Sequence, residues 1–401
     1  MQKERLRQLE FIAMMAALMS IVALALDAIL PALDLIGITI GTKEVADNQL
    51  LVTMIFFGIG IGPLFFGPWS DSVGRKPVVY IGFAIFILAS LICIFATSVP
   101  VMIAGRILQG IGLSAPRTIS VAMIRDTYSG DYMARIMSFV TVVFILIPVI
   151  APLTGKILLD LYNWQAIFYA QLLFSMLICF WFWKRQRETL KVEDRNIFSF
   201  HVLKKGFLEI LQYKVTIGYT LISGFITGSF LVYLSTSQQL FEQQYDLKEE
   251  FPYIFGLIAI AVGAAIFLNG TLVLKYGMEK LVTFSLWGYF LTSVVYVALF
   301  YTTPNPSIFI LLGFLGVQFF AVGFLFGNLR AIAMQPVGHI AGISAAITGF
   351  ISTMMAVPIS TYIGRFVDAT ALPMFIGFAI CSGISVPILV YLRPSKILSK
   401  T

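Results

Sequence analysis

Apolar runs of about 20 residues recur along the whole of this chain, and they constrain its fold more than any other feature. A helix of about 20 apolar residues crosses the hydrocarbon core of a bilayer. Apolar residues make up 59% of the 401 residues and charged residues only 12%, whereas about a quarter of the residues in a soluble domain are charged. The sequence therefore predicts an all-α polytopic membrane protein and excludes secreted, cytosolic and nucleic-acid-binding proteins.

The apolar runs and the polar breaks between them predict twelve transmembrane helices, six on each side of a charged linker. These spans, numbered 1 to 12, cover residues 11–33, 50–66, 78–97, 101–123, 134–159, 164–183, 215–238, 252–274, 281–301, 307–329, 341–363 and 372–392. The predicted domains are an N-terminal six-helix bundle over 1–183, a cytoplasmic linker over 184–214 and a C-terminal six-helix bundle over 215–401.

The linker contains apolar residues at helical spacing with lysines beside them. The apolar set is Phe200, Leu203, Phe207 and Leu211, and the lysines are Lys204, Lys205 and Lys214. This pattern is typical of an amphipathic helix that lies on the cytoplasmic leaflet. The alternative is a solvated tether with scattered apolar residues.

The positive charges predict the orientation of the chain. Twenty-one of the 27 Lys and Arg residues fall on the side where span 1 begins, counting Arg135 at the very start of span 5. Three fall opposite (Lys43, Lys248, Arg365), and three more lie within spans (Arg106, Arg117, Lys156). Cytoplasmic loops carry the excess of Lys and Arg. Both termini and the linker are therefore predicted to be cytoplasmic. The net charge of +7 then needs no anionic partner beyond lipid head groups.

The two halves of the chain repeat a pair of glycines at the same place. Gly67 to Gly74 covers the end of span 2 and the loop after it, and Gly270 to Gly277 lies at the equivalent end of span 8 with the same spacing. Together with the six-plus-six count, this repeat suggests two homologous bundles. Transporters use such repeats to move around a site near the membrane midplane.

Several motifs resemble those of the major facilitator superfamily, and the resemblance covers essentially the whole chain. Gly67-Pro-Trp-Ser-Asp71-Ser-Val-Gly74-Arg75-Lys76-Pro77 is similar to the family's signature between helices two and three, and Arg106-Ile-Leu-Gln109-Gly110 is similar to its fourth-helix motif. Pro148 to Gly155, with Ala151-Pro152 inside, resembles the fifth-helix motif of drug:proton antiporters, with alanine in place of the family's glycine before the proline. The segments Asp27-Ala-Ile-Leu-Pro31-Ala-Leu, Arg125-Asp126-x-Tyr128 and Gly342-x-Ser344-Ala-Ala-x-x-Gly349 look like the bicyclomycin and chloramphenicol resistance subgroup.

This resemblance implies a twelve-helix exporter that alternates between inward-open and outward-open states. It also implies a conformational gate made of Gly67, Asp71, Gly74, Arg75, Lys76 and Asp126, and an antiport helix motif made of Pro148, Ala151, Pro152 and Gly155. In that gate Asp71 faces the start of span 11 and Arg75 faces Asp126. The alternative for this segment is a basic turn that only obeys the positive-inside rule.

Asp27 and Arg106 are the predicted proton-coupling residues. Of the 20 acidic residues, only Asp27 lies well inside a predicted span, where a charge costs about 2.5–3.5 kcal/mol on insertion scales. Counting from the predicted span ends places Asp27 and Arg106 at similar depths, about 8–9 Å below the outer edge. The two side chains are therefore expected to meet. Two interpretations are open: a static buried ion pair, or a pair that protonation of Asp27 weakens.

Polar residues at other positions of the spans are the candidates for a substrate cavity. In span 4, Gln109, Leu113 and Arg117 share a face with Arg106. Span 8 contributes Asn269, and span 10 contributes Gln318 and Asn328. The alternatives are snorkelling of Arg117 to the membrane surface and bonds of the amides to neighbouring helices.

The sequence contains no P-loop, and no paired-carboxylate, Cys-His or zinc constellation supports an intramembrane enzyme. It therefore predicts neither an enzyme nor an ATP-driven pump. It predicts a monomer of the bacterial inner membrane that needs no metal or cofactor, and a proton gradient as its driving force. The predicted function is proton-coupled export of amphipathic molecules. Open alternatives are export of an endogenous carboxylate metabolite or siderophore, solute uptake by symport, and a membrane sensor without transport.

Overall fold

The computed structural model describes residues 2–195 and 200–392, without the side chains of 2–7, 45, 130–131, 134–135, 138, 141–145, 200 and 202. The α-helices are α1 Gln2–Asp27, α2 Leu33–Ile40, α3 Val45–Asn48, α4 Leu50–Val73, α5 Arg75–Ile94, α6 Val99–Thr127, α7 Gly130–Leu161, α8 Trp164–Arg185, α9 Phe200–Ile210, α10 Lys214–Gln238, α11 Phe251–Tyr276, α12 Met278–Phe300, α13 Ile308–Met334, α14 Ala341–Gly364 and α15 Leu372–Leu392. No strand occurs among the described residues.

Twelve long helices, each of 20 residues or more, coincide with the twelve predicted spans. Ten stretches of the described residues are long and apolar enough to cross a membrane, and one of these, 308–364, contains both α13 and α14. Helix α7, of 32 residues, completes the twelve. The prediction of an all-α membrane protein with twelve spans is confirmed. Because six spans precede it, the linker lies on the membrane side where span 1 begins, which we call the amino-terminal side.

Span 1 is longer than predicted, and it is broken. The predicted end at Leu33 is wrong, since the apolar stretch runs from Gln8 to Ile40. Helix α1 stops at Asp27, and a short 3-10 helix at Leu30–Ala32 connects it to α2. Pro31 has no N–H to bond the carbonyl four residues earlier, that of Asp27, so the α-helix cannot continue through this point. The break places Asp27 at a helix terminus inside the apolar stretch.

The chain divides into two compact units. The first contains residues 1–200 and 237–260, and the second contains 201–236 and 261–401. In the first unit, α4 and α6 approach closely through glycines. A Cβ on Gly58 would lie 2.1 Å from the Ile107 carbonyl oxygen, and one on Gly110 would lie 2.0 Å from the Ile55 carbonyl oxygen. Small residues let membrane helices pack at short range, and this contact holds α6, which carries Arg106, against α4.

The second unit has an aromatic core where α12, α13 and α15 pack together. The rings of Tyr296 and Phe375 stack with centroids 3.7 Å apart, and Phe314 packs edge-on against Tyr296 at 5.1 Å. Ser293 bonds the backbone of the preceding turn and accepts a hydrogen bond from Gln318. The core is therefore largely aromatic, with the Gln318–Ser293 hydrogen bond joining α13 to α12.

The repeated glycines have the same backbone conformation in both halves. Gly74 has φ +107° and precedes α5, and Gly277 has φ +80° and precedes α12. These φ values are costly for any residue with a Cβ. Helix α4 continues to Val73, so most of the signature between spans 2 and 3 is helical and only Gly74 separates α4 from α5. The sequence repeat is thus a structural repeat.

The predicted linker helix is present as α9. Of its predicted apolar set, Phe207 and Leu211 are 41% and 51% exposed and Leu203 is half-buried, while the Phe200 side chain lies outside the described residues. Gly206 and Ile210 are the buried positions. Helix α9 therefore packs with one side against the second unit and leaves apolar side chains on another side exposed.

Candidate functional site

Asp27 is a buried carboxylate at the end of a helix. It is the last residue of α1, and only 6% of it is exposed. Among the described residues, no group donates a hydrogen bond to its carboxylate and no cation pairs with it. An ionised carboxylate in such surroundings is costly. These surroundings therefore favour the neutral form of the Asp27 carboxyl group over the ionised form.

Arg106 binds backbone and amide oxygens from three helices. Its Nε donates to the Leu51 carbonyl at 2.8 Å, and Nη1 donates to the Ala25 carbonyl at 3.2 Å and to Oε1 of Gln109 at 2.8 Å. Gln109 in turn donates to Ser90 of α5 at 2.8 Å. The side chain is fully buried, and its Nη2 has no hydrogen-bond partner among the described residues. Arg106 thus connects α6 to α1, α4 and α5.

The expected contact between Asp27 and Arg106 is absent. No described carboxylate lies within 4.0 Å of the guanidinium. The similar depth is real, since Arg106 reaches the Ala25 carbonyl, but two residues along a helix rotate the side chain by about 200°. The last carbonyls of α1 lack partners within the helix and carry its negative dipole end. Arg106 satisfies one of these carbonyls, so it stabilises the break that positions Asp27.

The predicted substrate residues lie mostly within helix contacts. Gln109 and Leu113 are fully buried, and Arg117 is half-buried. In the second unit, Asn328 donates to Oδ1 of Asn269 at 2.7 Å. Gln318, also fully buried, donates to Ser293. The amides of the second unit thus tie helices together, which was the alternative to substrate contact.

The fifth-helix motif packs against the break in span 1. Pro148, Ala151, Pro152 and Gly155 all lie in α7. A Cβ on Gly155 would lie 1.9 Å from the Ala28 carbonyl oxygen, so the α7 backbone touches the residue that follows Asp27. The Gly155 end of the motif therefore lies beside the turn that follows the buried carboxylate.

Substitution of Gly155 by alanine is expected to lower transport by roughly tenfold or more, because α7 must move away from the turn after Asp27. Such overpacking costs about 1–3 kcal/mol. Transport into proteoliposomes and thermal unfolding measure the two effects. Gly288→Ala is the matched control, since a Cβ on Gly288 meets nothing within 4 Å. Equal transport by the Gly155→Ala variant and the parent contradicts a tight contact at this point.

The predicted gate residues form an ion cluster at the junction of α4 and α5. Arg75 binds both oxygens of Asp126, with Nε to Oδ2 at 2.8 Å and Nη2 to Oδ1 at 3.2 Å. It also pairs with Asp71 and donates to Ser70 at 2.8 Å. The Arg75 side chain is 4% exposed and that of Asp71 is 41% exposed. The predicted contact of Arg75 with Asp126 is thus present, and the cluster is more than a basic turn.

The start of the linker closes over this cluster through Glu188. Its Oε1 accepts from the Arg75 N–H and its Oε2 from the Lys76 N–H, both at 3.0 Å. The Lys76 Nζ donates to the Gln186 carbonyl at 2.6 Å, and Thr189 donates to Asp126 at 3.0 Å. Glu188 therefore places a negative charge at the N-terminus of α5, where the helix dipole favours it. No sequence pattern predicts this contact, since Glu188 lies 113 residues from Arg75.

Substitution of Glu188 by glutamine is expected to lower stability in a pH-dependent way. Desolvation raises the pKa of this carboxyl, but backbone donors from Lys76, Arg75, Leu190 and Thr189 hold the net pKa below its ordinary value. The stabilisation is complete above the unfolded pKa of roughly 4.3 and is lost as the pH falls through the lower folded pKa. The residue is exposed, so screening limits the effect to about 0.5–1 kcal/mol.

Tryptophan fluorescence during thermal unfolding measures this effect. The difference between parent and Glu188→Gln should be constant from pH 5.5 to 8 and should shrink below about pH 4. Glu193→Gln, in the same linker and exposed, is the control. A difference that grows on acidification contradicts the assignment.

A further polar cluster of the first unit lies at the end of the span opposite to the gate. Asp34 accepts hydrogen bonds from Asn48 at 3.2 Å and from Gln243 at 2.8 Å. Gln49 donates to Gln239 at 3.0 Å. Residues 239–243 form a π-helix, a geometry frequent at functional sites. The cluster could not be predicted, because α2 extends a span that was expected to end at residue 33.

The described residues contain no group of three His, Cys, Asp or Glu side chains placed to hold a metal ion. Residues 11–357 match the family model described as Major Facilitator Superfamily. This chain belongs to that superfamily. It is a transporter rather than an enzyme, and its spans have the family's all-α architecture.

Curated relatives cover most of this transporter. A bicyclomycin resistance protein homolog of Haemophilus influenzae is 28% identical over 84% of this chain and 85% of that protein. The multidrug resistance protein MdtL of Klebsiella pneumoniae is 26% identical over 93% of each chain. Among solved structures, a partially occluded inward-open xylose transporter XylE from E. coli has a TM-score of 0.74 at 12% identity and covers 96% of this chain and 98% of its own. The likeness to XylE concerns the fold alone.

Proposed function

We propose that this transporter is a proton-coupled exporter of small amphipathic molecules, which works by alternating access across the bacterial inner membrane. The observation that carries this proposal is the buried Asp27 at the break of span 1, which has no hydrogen-bond or ion-pair partner among the described residues and against which the antiport-type segment of α7 packs. The names of the relatives, bicyclomycin resistance and multidrug resistance proteins, support export. The amino-terminal side is cytoplasmic in this proposal, as the positive charges predict.

Asp27 supplies the coupling. While the carboxyl group is buried without a donor, the protonated form costs least, since an unpaired charge in apolar surroundings is expensive. When a conformational change admits water, hydration lowers the free energy of the ionised form and the proton leaves. Protonation is thereby linked to conformation. The break at Pro31 and the contact of Gly155 with Ala28 make the position of this carboxylate depend on both α1 and α7.

Arg106 acts in this proposal as a positioning residue. It holds the last turn of α1 through the Ala25 carbonyl, and its buried Nη2 has no hydrogen-bond partner within the described part of the chain. The gate is the second control point. Arg75, Asp71 and Asp126 join α4, α5 and α6 on the amino-terminal side, and Glu188 ties the linker to them.

The charges of the first unit favour neutral, zwitterionic or anionic substrates. Asp27 is its single buried carboxylate within a predicted span, whereas Arg106 is buried and Arg117 half-buried. A permanent cation near these guanidinium groups loses its hydration without a matching gain. Gln109, Leu113, Asn269, Gln318 and Asn328 stay candidate cavity residues only for states in which their present helix contacts open.

Everted membrane vesicles test direction and substrate together. With a proton gradient that is acidic inside, vesicles that contain the protein should accumulate chloramphenicol or bicyclomycin, and each addition should release part of the gradient. Ethidium, a permanent cation, should give little accumulation. Uptake by intact cells in place of vesicles contradicts export, and no proton release contradicts the coupling. Ethidium accumulation that is unchanged in Arg106→Ala and Arg117→Ala contradicts the charge preference.

A further inference from the structure

Helix α9 carries an exposed face that is both basic and apolar. At 100° per residue, the positions of Phe207, Leu211, Lys204, Leu208 and Lys205 fall within one arc of about 160°. The apolar members are large and exposed: Phe207 by 41%, Leu208 by 52% and Leu211 by 51%. Lys204 and Lys205 are exposed as well. An apolar group of this size in water is unfavourable, so this face needs a partner.

The carboxylate of α9 is engaged elsewhere. Glu209, the one acidic residue of this helix, pairs with Nε2 of His339 at 2.5 Å. On the buried side, a Cβ on Gly206 would lie 2.7 Å from the Ile343 side chain. These two contacts fix the rotation of α9 against the second unit. The basic and apolar arc consequently points away from the rest of the second unit.

The arc borders a depression of about 650 Å³ that the lysines line together with Leu208, His201, Gln212, Tyr213 and Glu209, whose carboxylate is held by His339. No described carboxylate lies within 4.0 Å of either lysine. Lysine donates three hydrogen bonds as a compact point charge, which suits a phosphate group. Gln212 and Tyr213 add uncharged polar groups at the rim. The depression thus has the chemistry of a phosphate site beside exposed apolar side chains.

We propose that this face binds an anionic phospholipid of the leaflet on the amino-terminal side, with the phosphate held by Lys204 and Lys205 and the acyl chains against Phe207, Leu208 and Leu211. Charge complementarity selects this occupant, because the arc has two lysines and no carboxylate. Its apolar side chains can insert among the acyl chains just below the head groups of a leaflet. A soluble phosphate compound would leave the three apolar residues in water. The proposal requires membrane insertion only and does not depend on proton-coupled export.

Native mass spectrometry of the purified full-length protein tests the site with phosphatidylglycerol as the probe. The parent is expected to retain phosphatidylglycerol in preference to phosphatidylcholine, and Lys204→Gln/Lys205→Gln should weaken that binding by roughly tenfold. The matched control is Lys275→Gln/Lys280→Gln, which removes two exposed lysines from the α11–α12 connection. It should bind as the parent does. Equal losses in both double variants, or no loss in the first, overturn the proposal.

A second measurement separates the lipid from a soluble ligand. Inorganic phosphate and glycerophosphoglycerol should not displace phosphatidylglycerol at millimolar concentration, because they lack acyl chains. Displacement by either compound assigns the site to a soluble phosphate and overturns the proposal. A fluorophore on Leu208→Cys should be quenched by brominated phosphatidylglycerol more than by brominated phosphatidylcholine in the parent background. Equal quenching by the two lipids also overturns it.

Discussion

The Asp27→Asn variant is expected to lose proton-driven transport by roughly 100-fold or more, as is typical when a proton-transferring side chain is removed. Asparagine has nearly the volume of aspartate but carries no titratable proton, so the break in span 1 stays filled while the link between protonation and conformation disappears. Downhill exchange of labelled for unlabelled substrate needs no proton and should persist at a similar rate. Accumulation and exchange in the same proteoliposomes, with and without a pH gradient, measure both.

Two further variants make this result specific. Asp27→Glu keeps the carboxyl group one methylene further out and should retain partial coupling with a shifted pH dependence. Asp194→Asn removes an exposed carboxylate of the linker and should transport as the parent does. Full accumulation by Asp27→Asn under a pH gradient contradicts the coupling role. Loss of exchange together with accumulation indicates that Asp27 binds substrate.

The architecture was predictable because it follows from local properties. Within the membrane, the backbone N–H and C=O groups of each apolar run must form hydrogen bonds to one another, and an α-helix meets this requirement. The position of α9 followed from the same periodicity. The break at Asp27 also has a sequence signal, namely Pro31 four residues later, but the continuous apolar run concealed it. The predicted end of span 1 was therefore wrong, and the polar cluster around Asp34 was not predicted.

The partners of the charged groups were harder to predict. Counting residues locates Arg106 and Asp27 in depth but says nothing about the direction in which each side chain points. Arg106 binds backbone carbonyls of Ala25 and Leu51, and every residue type presents a carbonyl, so no pattern marks them. Glu188 is a similar case, since its partners are the N–H groups of Arg75 and Lys76. By contrast, the contact of Arg75 with Asp126 joins two charged side chains of recognisable motifs.

The second large effect is expected at Arg106. Arg106→Ala leaves two buried carbonyls and the Gln109 amide without their donor, each at a cost of about 1–3 kcal/mol. The unfolding temperature should fall by roughly 5–10 °C, and transport should be lost. Arg106→Lys keeps the charge but not the planar fork that reaches several oxygens at once, so it should recover stability only in part. Buried Cys93 and Cys381 become reactive on unfolding, so a thiol-reactive dye reports the transition.

A double-mutant cycle decides between the two roles of Arg106. If Arg106 mainly neutralised Asp27, the guanidinium would have no charge to neutralise in the Asp27→Asn background. Arg106→Gln would then lower the free energy of unfolding much less in that background than in the parent. If Arg106 holds the end of α1, as its bonds to Ala25 and Leu51 indicate, the two costs should add to within about 0.5 kcal/mol. Arg117→Gln, on the same helix and half-buried, should be nearly neutral in both backgrounds. A coupling energy above about 1 kcal/mol between Asp27 and Arg106 would establish an ion pair in another state of the transport cycle.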